Sequence, residues 1–272
     1  MAKGGRRFPL RLYGHRGAPA ECPENTLVGF ARALERGADA LETDVHLTVD
    51  GQVVVSHDPT ARRCCGVARE LSASRLDEVR QWDAGSAFRA PDGGKPFAGQ
   101  GVRIPTLEEL LVEFRGVRIN IDIKQSDPPM IDPLLELIRR HQAEQHVTLA
   151  SFQLRTLLKV RMAGFAGETA LPKAEVATML YAPALLFSVL PWRGQAAQLP
   201  LAAGRQRFDT ADMVARCRRL GLRLDFWVVN DAPTTERLLG LGADGIMSDD
   251  PGAVAPVIAR FRAEADEASA PA

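Results

Sequence analysis

Short apolar segments alternate with amphipathic segments along most of the chain. In the first amphipathic segment Leu27, Phe30 and Leu34 recur at the spacing of one helical face. Asn25 is placed to cap the start of this helix, and Gly37 is placed to end it. Strands that alternate with helices in this way predict a parallel sheet, either closed into a barrel or open and doubly wound.

Six apolar segments have the length and composition of buried strands. No glycine-rich phosphate-binding fingerprint follows the first of them, which argues against the open nucleotide-binding sheet. The length of 272 residues suits one (β/α)₈ barrel, which commonly takes roughly 250. We therefore predict a single (β/α)₈ TIM barrel over residues 1–272. The six segments are LRLYGHRG, DALETDVHL, VRINIDIK, HVTLAS, RLDFWVVN and ADGIMSDD, and the two further strands that closure requires are placed near Glu168–Leu171 and Leu185–Ser188.

One predicted connection is too short to join two parallel strands of a barrel. Only TVDGQ separates the strand that ends near Leu47 from the segment VVVSHD. Parallel neighbours need a crossover of about a dozen residues, so these two segments must form a hairpin. The pair Asp50-Gly51 is a strong signal for its tight turn. The hairpin returns His57 and Asp58 toward the strand that carries Glu42 and Asp44.

The stretch that follows the hairpin is rich in Gly, Pro and Arg and has weak periodicity up to Pro105. We interpret this stretch, from Pro59 to about Pro105, as an insertion between the second strand and the helix TLEELLVEF, not as a separate domain. His46 lies two residues beyond Asp44 but enters the hairpin, which can carry it out to solvent. We leave it out of the predicted site.

Composition and charge exclude some classes of function. The chain is 46% hydrophobic and 25% charged, as expected for a globular protein with a large core. It has 34 basic and 34 acidic residues, so no nucleic-acid partner is expected from bulk charge. No secretory signal is expected at the N-terminus. The four cysteines, at positions 22, 64, 65 and 217, are expected to be reduced thiols of a cytoplasmic protein.

Three acidic residues lie at the carboxyl ends of predicted strands, which share one face of a parallel barrel. Glu42 and Asp44 are two residues apart, so their side chains point the same way from an extended strand. Asp122 on the next strand could complete an oxygen-rich site for Mg²⁺ or Ca²⁺. An isolated acid at such a position would be an ordinary strand-end charge, but three acids with two histidines favour a functional site.

Histidines and basic residues also lie at strand ends. His15 and Arg16 follow the first predicted strand, His57 follows the returning strand of the hairpin, and Lys124 follows the strand of Asp122. His15 and His57 suit general acid and base chemistry, although each alone could be a structural hydrogen-bonder. Arg16 and Lys124 would place positive charge on a phosphate group. Trp227 could form one wall of the site, and core packing explains it almost as well.

Five motifs resemble those of the glycerophosphodiester phosphodiesterase family. They occur in the family's order and span nearly the whole chain. They are HRG at 15–17, PENT at 23–26, ETDVHLTVDGQVVVSHD at 42–58, FWVVND at 226–231 and GADGIMSDDP at 242–251.

The resemblance makes residues 46–105 the small insertion that is characteristic of the family, and it implies roles for individual residues. It makes His15 and His57 the catalytic acid/base pair, and it makes Glu42, Asp44 and Asp122 the ligands of a divalent cation. The chain departs from the family's pattern at Asp122, where glutamate is more usual, and at RRCCG, which replaces a Thr-rich turn after HD. The segments INIDIK and LLFSVLP are similar to the branch of the family with lysophospholipase D activity.

The stretch from Val176 to Trp192 contains no charged residue. It is shorter than the roughly 20 residues that span a bilayer, so no transmembrane segment is expected. A barrel strand with its loop is one interpretation. The other is an apolar lip beside the site, formed by Leu185, Leu186, Phe187 or Trp192, that holds an acyl chain or makes peripheral contact with a membrane.

The predicted activity is metal-dependent hydrolysis of glycerophosphodiesters to an alcohol and glycerol 3-phosphate. The resemblance suggests that a glycerol hydroxyl of the substrate attacks first and forms a cyclic phosphate. The alternative enzyme is a lysophospholipase D that acts on lysolipids. The alternative from another class is a catalytically silent barrel that only binds phosphodiesters.

Overall fold

The computed structural model describes residues 8–127, 129–183, 187 and 193–269. The strands are β1 (Arg11–His15), β2 (Ala40–Leu47), β3 (Val53–Val55), β4 (Arg118–Ile123), β5 (Val147–Ala150), β6 (Glu168–Thr169), β7 (Ala196–Pro200), β8 (Ala202–Ala203), β9 (Gln206–Arg207), β10 (Arg223–Trp227) and β11 (Gly245–Ser248). The helices are α1 (Leu27–Glu35), α2 (Arg62–Cys65), α3 (Leu76–Val79), α4 (Leu107–Glu113), α5 (Ile131–Arg140), α6 (Leu154–Met162), α7 (Lys173–Tyr181), α8 (Ala211–Leu220), α9 (Ala232–Leu241) and α10 (Pro251–Ser269).

In the described part of the chain, eight parallel strands form a barrel. Their order is β1, β2, β4, β5, β6, β7, β10 and β11, and β11 pairs with β1. A parallel bridge between Ala170 and Ala196 joins β6 to β7 and completes the circle. The (β/α)₈ prediction is confirmed. In this architecture the carboxyl ends of the strands carry the active site.

The barrel core is built from the apolar faces that the sequence pattern indicated. Leu41, Ile121, Leu149 and Phe226 come from four different barrel strands and are inaccessible to solvent. Each buried side chain of this size contributes about 1.5–3 kcal/mol through the hydrophobic effect. They belong to one continuous cluster that also includes residues from the surrounding helices, so the barrel provides a rigid frame for strand-end side chains.

The predicted hairpin is present. β3 pairs antiparallel with β2, with Val55 opposite Val45, and lies outside the ring of parallel strands. The chain then leaves the barrel and returns at α4, whose N-cap Thr106 bridges Val54. The intervening segment has its own small core, separate from that of the barrel. Its buried members are Val54, Ala61, Cys65, Leu71, Val79, Trp82, Ala84 and Ile104.

Charged residues pair inside the barrel near the first residues of its strands. Arg223 lies 2.9 Å from Asp225, and Arg11 lies 3.1 Å from Glu168. Burial, with the nearby Asp225 carboxylate, raises the pKa of Tyr13 to about 12, and its hydroxyl donates to Asp225. These pairs fill the amino-terminal end of the barrel, which leaves the carboxyl end for a cavity.

One local prediction is wrong. α1 is capped by Thr26, whose hydroxyl accepts the Gly29 N–H at 3.2 Å, because Asn25 is drawn toward β2 instead. The strand predicted near Leu185–Ser188 lies outside the described residues except for Phe187, and the barrel position after β6 is taken by β7, which begins at Ala196. The apolar run of β7 is interrupted by Gln198, so it carried a weaker signal than its neighbour in the sequence.

Much of the predicted apolar lip lies outside the described residues, namely Leu185, Leu186 and Trp192. Phe187 is described, and its side chain is fully buried in the main core, so it is not part of an exposed lip. No helix within the described ranges is long and apolar enough to cross a membrane.

Candidate active site

A cavity of about 130 Å³ opens at the carboxyl ends of the barrel strands. Strand-end residues and the loop after β3 line it together. All eight residues predicted for the site face this cavity, namely His15, Arg16, Glu42, Asp44, His57, Asp122, Lys124 and Trp227.

The three acids lie side by side on β2 and β4. Asp44 and Asp122 are register partners, and Glu42 precedes Asp44 on the same face. Burial, with repulsion from Asp44, raises the pKa of Glu42 to about 7. Burial likewise raises the pKa of Asp122. The cavity therefore holds more negative charge than its own cations neutralise.

Lys124 neutralises part of that charge. Its Nζ lies 2.8 Å from Asp44 Oδ1 and 2.6 Å from Asp122 Oδ2. Burial lowers the pKa of Lys124, but the two carboxylates outweigh burial and raise it. For Asp44, burial is outweighed by Lys124 and Arg16, so its pKa falls below the usual range. The lysine predicted for substrate thus also pairs with two acids.

The donor chemistry of this cluster fits a divalent cation. Among the described residues, no three acidic, histidine or cysteine side chains are already grouped closely enough to hold a metal ion. Glu42, Asp44 and Asp122 nevertheless present carboxylate oxygens to one cavity, and Glu42 lacks a full counter-charge. Carboxylate oxygens are the ligands preferred by Mg²⁺ and Ca²⁺.

The turn after β1 positions His15 and Arg16. Arg16 has a positive φ of 55°, and its backbone N–H donates to Glu42 Oε2 at 3.1 Å. Gly17 follows with φ 92°, and a Cβ there would lie 2.6 Å from the backbone of Gly29 in α1. The HRG segment therefore requires glycine at its last position, because the turn packs directly on α1.

The side chain of Arg16 lies across the acids. Its Nη1 donates to Glu24 at 3.3 Å, and its Nε lies 3.3 Å from Asp44 Oδ2. The buried Nε nevertheless makes no hydrogen bond to any described residue. The guanidinium of Arg16 lines the cavity beside this buried atom, and its charge is suited to an anionic ligand.

His15 is held by Asp249, which follows β11. The Nδ1 atom of His15 lies 2.7 Å from Asp249 Oδ1, and its Nε2 lies 3.8 Å from Glu42. Asn230 donates to Asp249 Oδ2 at 3.1 Å and fixes this carboxylate. Burial lowers the pKa of His15, but Glu42 and Asp249 outweigh burial and raise it.

His57 has an equivalent partner in the next residue. Its Nδ1 lies 2.7 Å from Asp58 Oδ1. Arg63 donates to the other oxygen of Asp58 at 2.7 Å and also binds Glu24. A carboxylate at Nδ1 fixes the imidazole so that Nε2 remains for chemistry.

The part of the cavity between β4 and β10 is polar within and aromatic at the rim. Gln198 donates to Asn120 Oδ1 at 2.7 Å. Phe152, which follows β5, is 48% exposed and lies edge-to-face with Trp227 at 6.3 Å between ring centroids. This rim is a second surface that a substrate can contact.

The chain is similar in sequence and in fold to known proteins. Residues 15–253 match the model of the glycerophosphoryl diester phosphodiesterase family. The chain belongs to this family. A glycerophosphodiester phosphodiesterase from Caldanaerobacter subterraneus subsp. tengcongensis is 32% identical, over 88% of this chain and 94% of the relative.

Two further similarities span nearly the whole chain. The human lysophospholipase D GDPD1 is 27% identical, over 94% of this chain and 88% of the relative. A crystal structure of a putative glycerophosphoryl diester phosphodiesterase from Silicibacter pomeroyi superimposes with a TM-score of 0.76 at 27% identity, covering 95% of this chain and 96% of that one. The chain is thus a phosphodiesterase of this family with a TIM-barrel fold.

Some residues of this family member behave differently from the sequence prediction. His46 is buried, not carried to solvent, and its Nε2 lies 3.3 Å from the carbonyl oxygen of His57. Asn25 donates to Asp44 Oδ2 at 3.0 Å and accepts from Thr43, so it supports an acid of the site. Cys22, Cys64, Cys65 and Cys217 form no disulfide in the structure.

Several cavity or partner residues were not predicted. Asp58 and Asp249 follow strand ends within the HD and SDDP segments, and that position was the available signal. Asn120 and Gln198 sit inside strands and carried no such signal. Phe152 lies two residues beyond the end of β5, and its sequence position is that of an ordinary loop residue.

Proposed function

We propose that His15 and His57 form the acid/base pair with which this phosphodiesterase hydrolyses glycerophosphodiesters to an alcohol and glycerol 3-phosphate. One observation carries the proposal. Each imidazole has a carboxylate 2.7 Å from Nδ1, and both face the cavity that contains the three buried acids. Because a carboxylate occupies Nδ1 of each histidine, Nε2 is left to transfer protons.

Arg16 and Lys124 are proposed to hold the phosphate. The guanidinium of Arg16, after β1, and the ammonium of Lys124, after β4, both line the cavity and supply positive charge for the non-bridging oxygens. His15 and His57 line the same cavity, so a phosphate bound there would be within a site that contains both imidazoles.

Glu42, Asp44 and Asp122 are proposed to hold a divalent cation, Mg²⁺ or Ca²⁺. When bound, such an ion stabilises negative charge on the phosphate. The raised pKa of Glu42 supports this role, because a carboxylate crowded by other acids gains most from a cation.

The proton transfers can be written with the chain's own residues. A hydroxyl, from water or from the glycerol of the substrate, loses its proton to one imidazole as its oxygen bonds to phosphorus. The bond from phosphorus to the leaving alcohol breaks, and the other imidazole gives that oxygen a proton. If the glycerol hydroxyl attacks, water opens the cyclic phosphate with the roles reversed.

The test compares His15→Ala and His57→Ala on two substrates, glycerophosphoglycerol and a glycerophosphodiester of p-nitrophenol. Each variant should lose at least about 100-fold in kcat on the first substrate. The p-nitrophenolate group leaves without a proton, so the variant that lacks the general acid should recover most of its rate. Near-normal rates for both variants on glycerophosphoglycerol would refute the mechanism.

A lysophospholipase D activity is the second candidate. The exposed Phe152 beside Trp227 supports it, since an acyl chain gains about 0.8 kcal/mol for each CH₂ removed from water. Comparing lysophosphatidylcholine with glycerophosphocholine separates the two candidates. Peripheral contact with a membrane belongs to this second candidate, and a cytoplasmic location accords with four free thiols.

A further inference from the structure

The rim of the cavity carries a cation whose position is fixed by an aromatic ring. Lys173, the first residue of α7, places its Nζ 4.7 Å from the centroid of the Phe152 ring. Its backbone N–H donates to the carbonyl oxygen of Phe152 at 3.4 Å, so the two residues are tied together. Cation–π contacts of this length are attractive.

Lys173 lacks a neutralising partner, unlike Lys124. Within the described ranges it forms no ion pair, and the acid nearest to it in sequence, Glu175, is paired with Arg161. Lys173 is also exposed. Its positive charge therefore acts on any substrate group that lies against the Phe152 ring.

The inner and outer ends of the cavity differ in what they can recognise. The inner end presents the amides of Asn120 and Gln198, which suit the hydroxyls of a glycerol. With a glycerol at the inner end, the second arm of the diester extends toward the open mouth of the cavity. Phe152, which is 48% exposed at the rim, is a surface that this arm can contact there.

From this arrangement we infer that Lys173 selects against diesters whose alcohol arm carries a quaternary ammonium group, and favours neutral or anionic arms. An exposed aromatic ring would by itself attract such a cation. Here the lysine already interacts with the ring and repels a second positive charge. The inference rests on the proposed function, because it assigns the outer arm to a substrate of the same site.

The experiment measures kcat/KM for glycerophosphoglycerol, with a neutral arm, and glycerophosphocholine, with a cationic arm. The unmodified enzyme should prefer the neutral arm by about 3-fold to 10-fold at low ionic strength, mainly through KM. The preference should shrink as salt is added, because the rim is open to solvent.

Three variants test the residue itself. Lys173→Gln should reduce the preference to near unity, and Lys173→Glu should reverse it. Lys159→Gln is the matched control, since it removes an exposed lysine of α6 for which the described residues show no contact with the Phe152 ring, and it should leave the preference unchanged. Lys173 lies in the first turn of α7, where the helix dipole disfavours positive charge. Replacing it should therefore not destabilise the helix.

The outcomes separate the inference from the function on which it rests. An unchanged preference in active Lys173→Gln enzyme, or a wild-type preference for the choline ester, would overturn the inference alone. Failure of the unmodified enzyme to hydrolyse either diester would overturn the proposed function instead.

Discussion

Replacing Glu42 by glutamine should stabilise the metal-free protein at pH 8 and change its stability much less at pH 5. Glu42 is buried beside Asp44 with a pKa of about 7, against an ordinary value of 4.5. Between these two values the folded protein keeps a proton that the unfolded chain has lost. Stability therefore falls as the pH rises through this window, and above pH 7 the full penalty remains.

The size of the effect follows from the two pKa values. Each pKa unit corresponds to about 1.4 kcal/mol, so the raised pKa of Glu42 costs the fold about 3 kcal/mol at pH 8, where Glu42 is ionised, and about 1 kcal/mol at pH 5, where only the unfolded chain loses the proton. Glutamine is close in shape, and its oxygen can still accept the Arg16 N–H that Glu42 accepts at 3.1 Å. The variant should therefore gain about 2 kcal/mol more at pH 8 than at pH 5.

Urea unfolding in EDTA at both pH values measures this difference. A divalent cation gives a second readout, because a ligand that binds only the folded state stabilises it by about 2.7 kcal/mol at 100 times its dissociation constant. Added Mg²⁺ or Ca²⁺ should stabilise the wild type more than Glu42→Gln. A variant less stable than wild type at pH 8 in EDTA, or one equally stabilised by the cation, would contradict the reasoning.

Two further predictions concern the same cluster. EDTA should abolish turnover and Mg²⁺ or Ca²⁺ should restore it, with Asp44→Asn needing a higher cation concentration because an amide is a poorer ligand; full activity of metal-free protein would refute the cation site. Lys124→Gln should lower kcat/KM and, in EDTA, destabilise the fold by about 3 kcal/mol, because Asp44 and Asp122 lose the ammonium between them. Added cation should restore its melting temperature but not its kcat/KM, and unchanged stability in EDTA would show that the two ion pairs contribute little.

The sequence predicted the barrel because segments of strand length alternate with helical segments. In runs such as Leu41 to Val45 and Ile119 to Ile123, apolar residues flank the polar residues of the site, and the spacing between the runs leaves room for helices. The hairpin was predictable for a different reason, since five residues cannot form a parallel crossover. β7 was missed because Gln198, which lines the polar cavity, interrupts its apolar run.

The positions of site residues that lie on strands could be predicted from the sequence. The positions of residues that depend on contacts with other elements could be predicted less well. Strand alternation places Glu42 and Asp44 on one face, whatever surrounds them. The role of Asn25 depends on Asp44 and Thr43, which lie on another element, so its capping signal was misleading. Asp249 reaches His15 from the opposite end of the chain, a contact that no local pattern specifies.

Because of the insertion, the two histidines are supported by different parts of the structure. His15 is the last residue of a barrel strand, whereas His57 lies just beyond β3, beside a segment with a hydrophobic core of its own. Arg63, from the first helix of that segment, anchors the carboxylate that orients His57. Loosening of this small core would therefore separate the proposed catalytic pair while the barrel stayed folded. In such a molecule catalytic competence and global folding are distinct properties, and substitutions in residues 59–105 can tune the first while sparing the second.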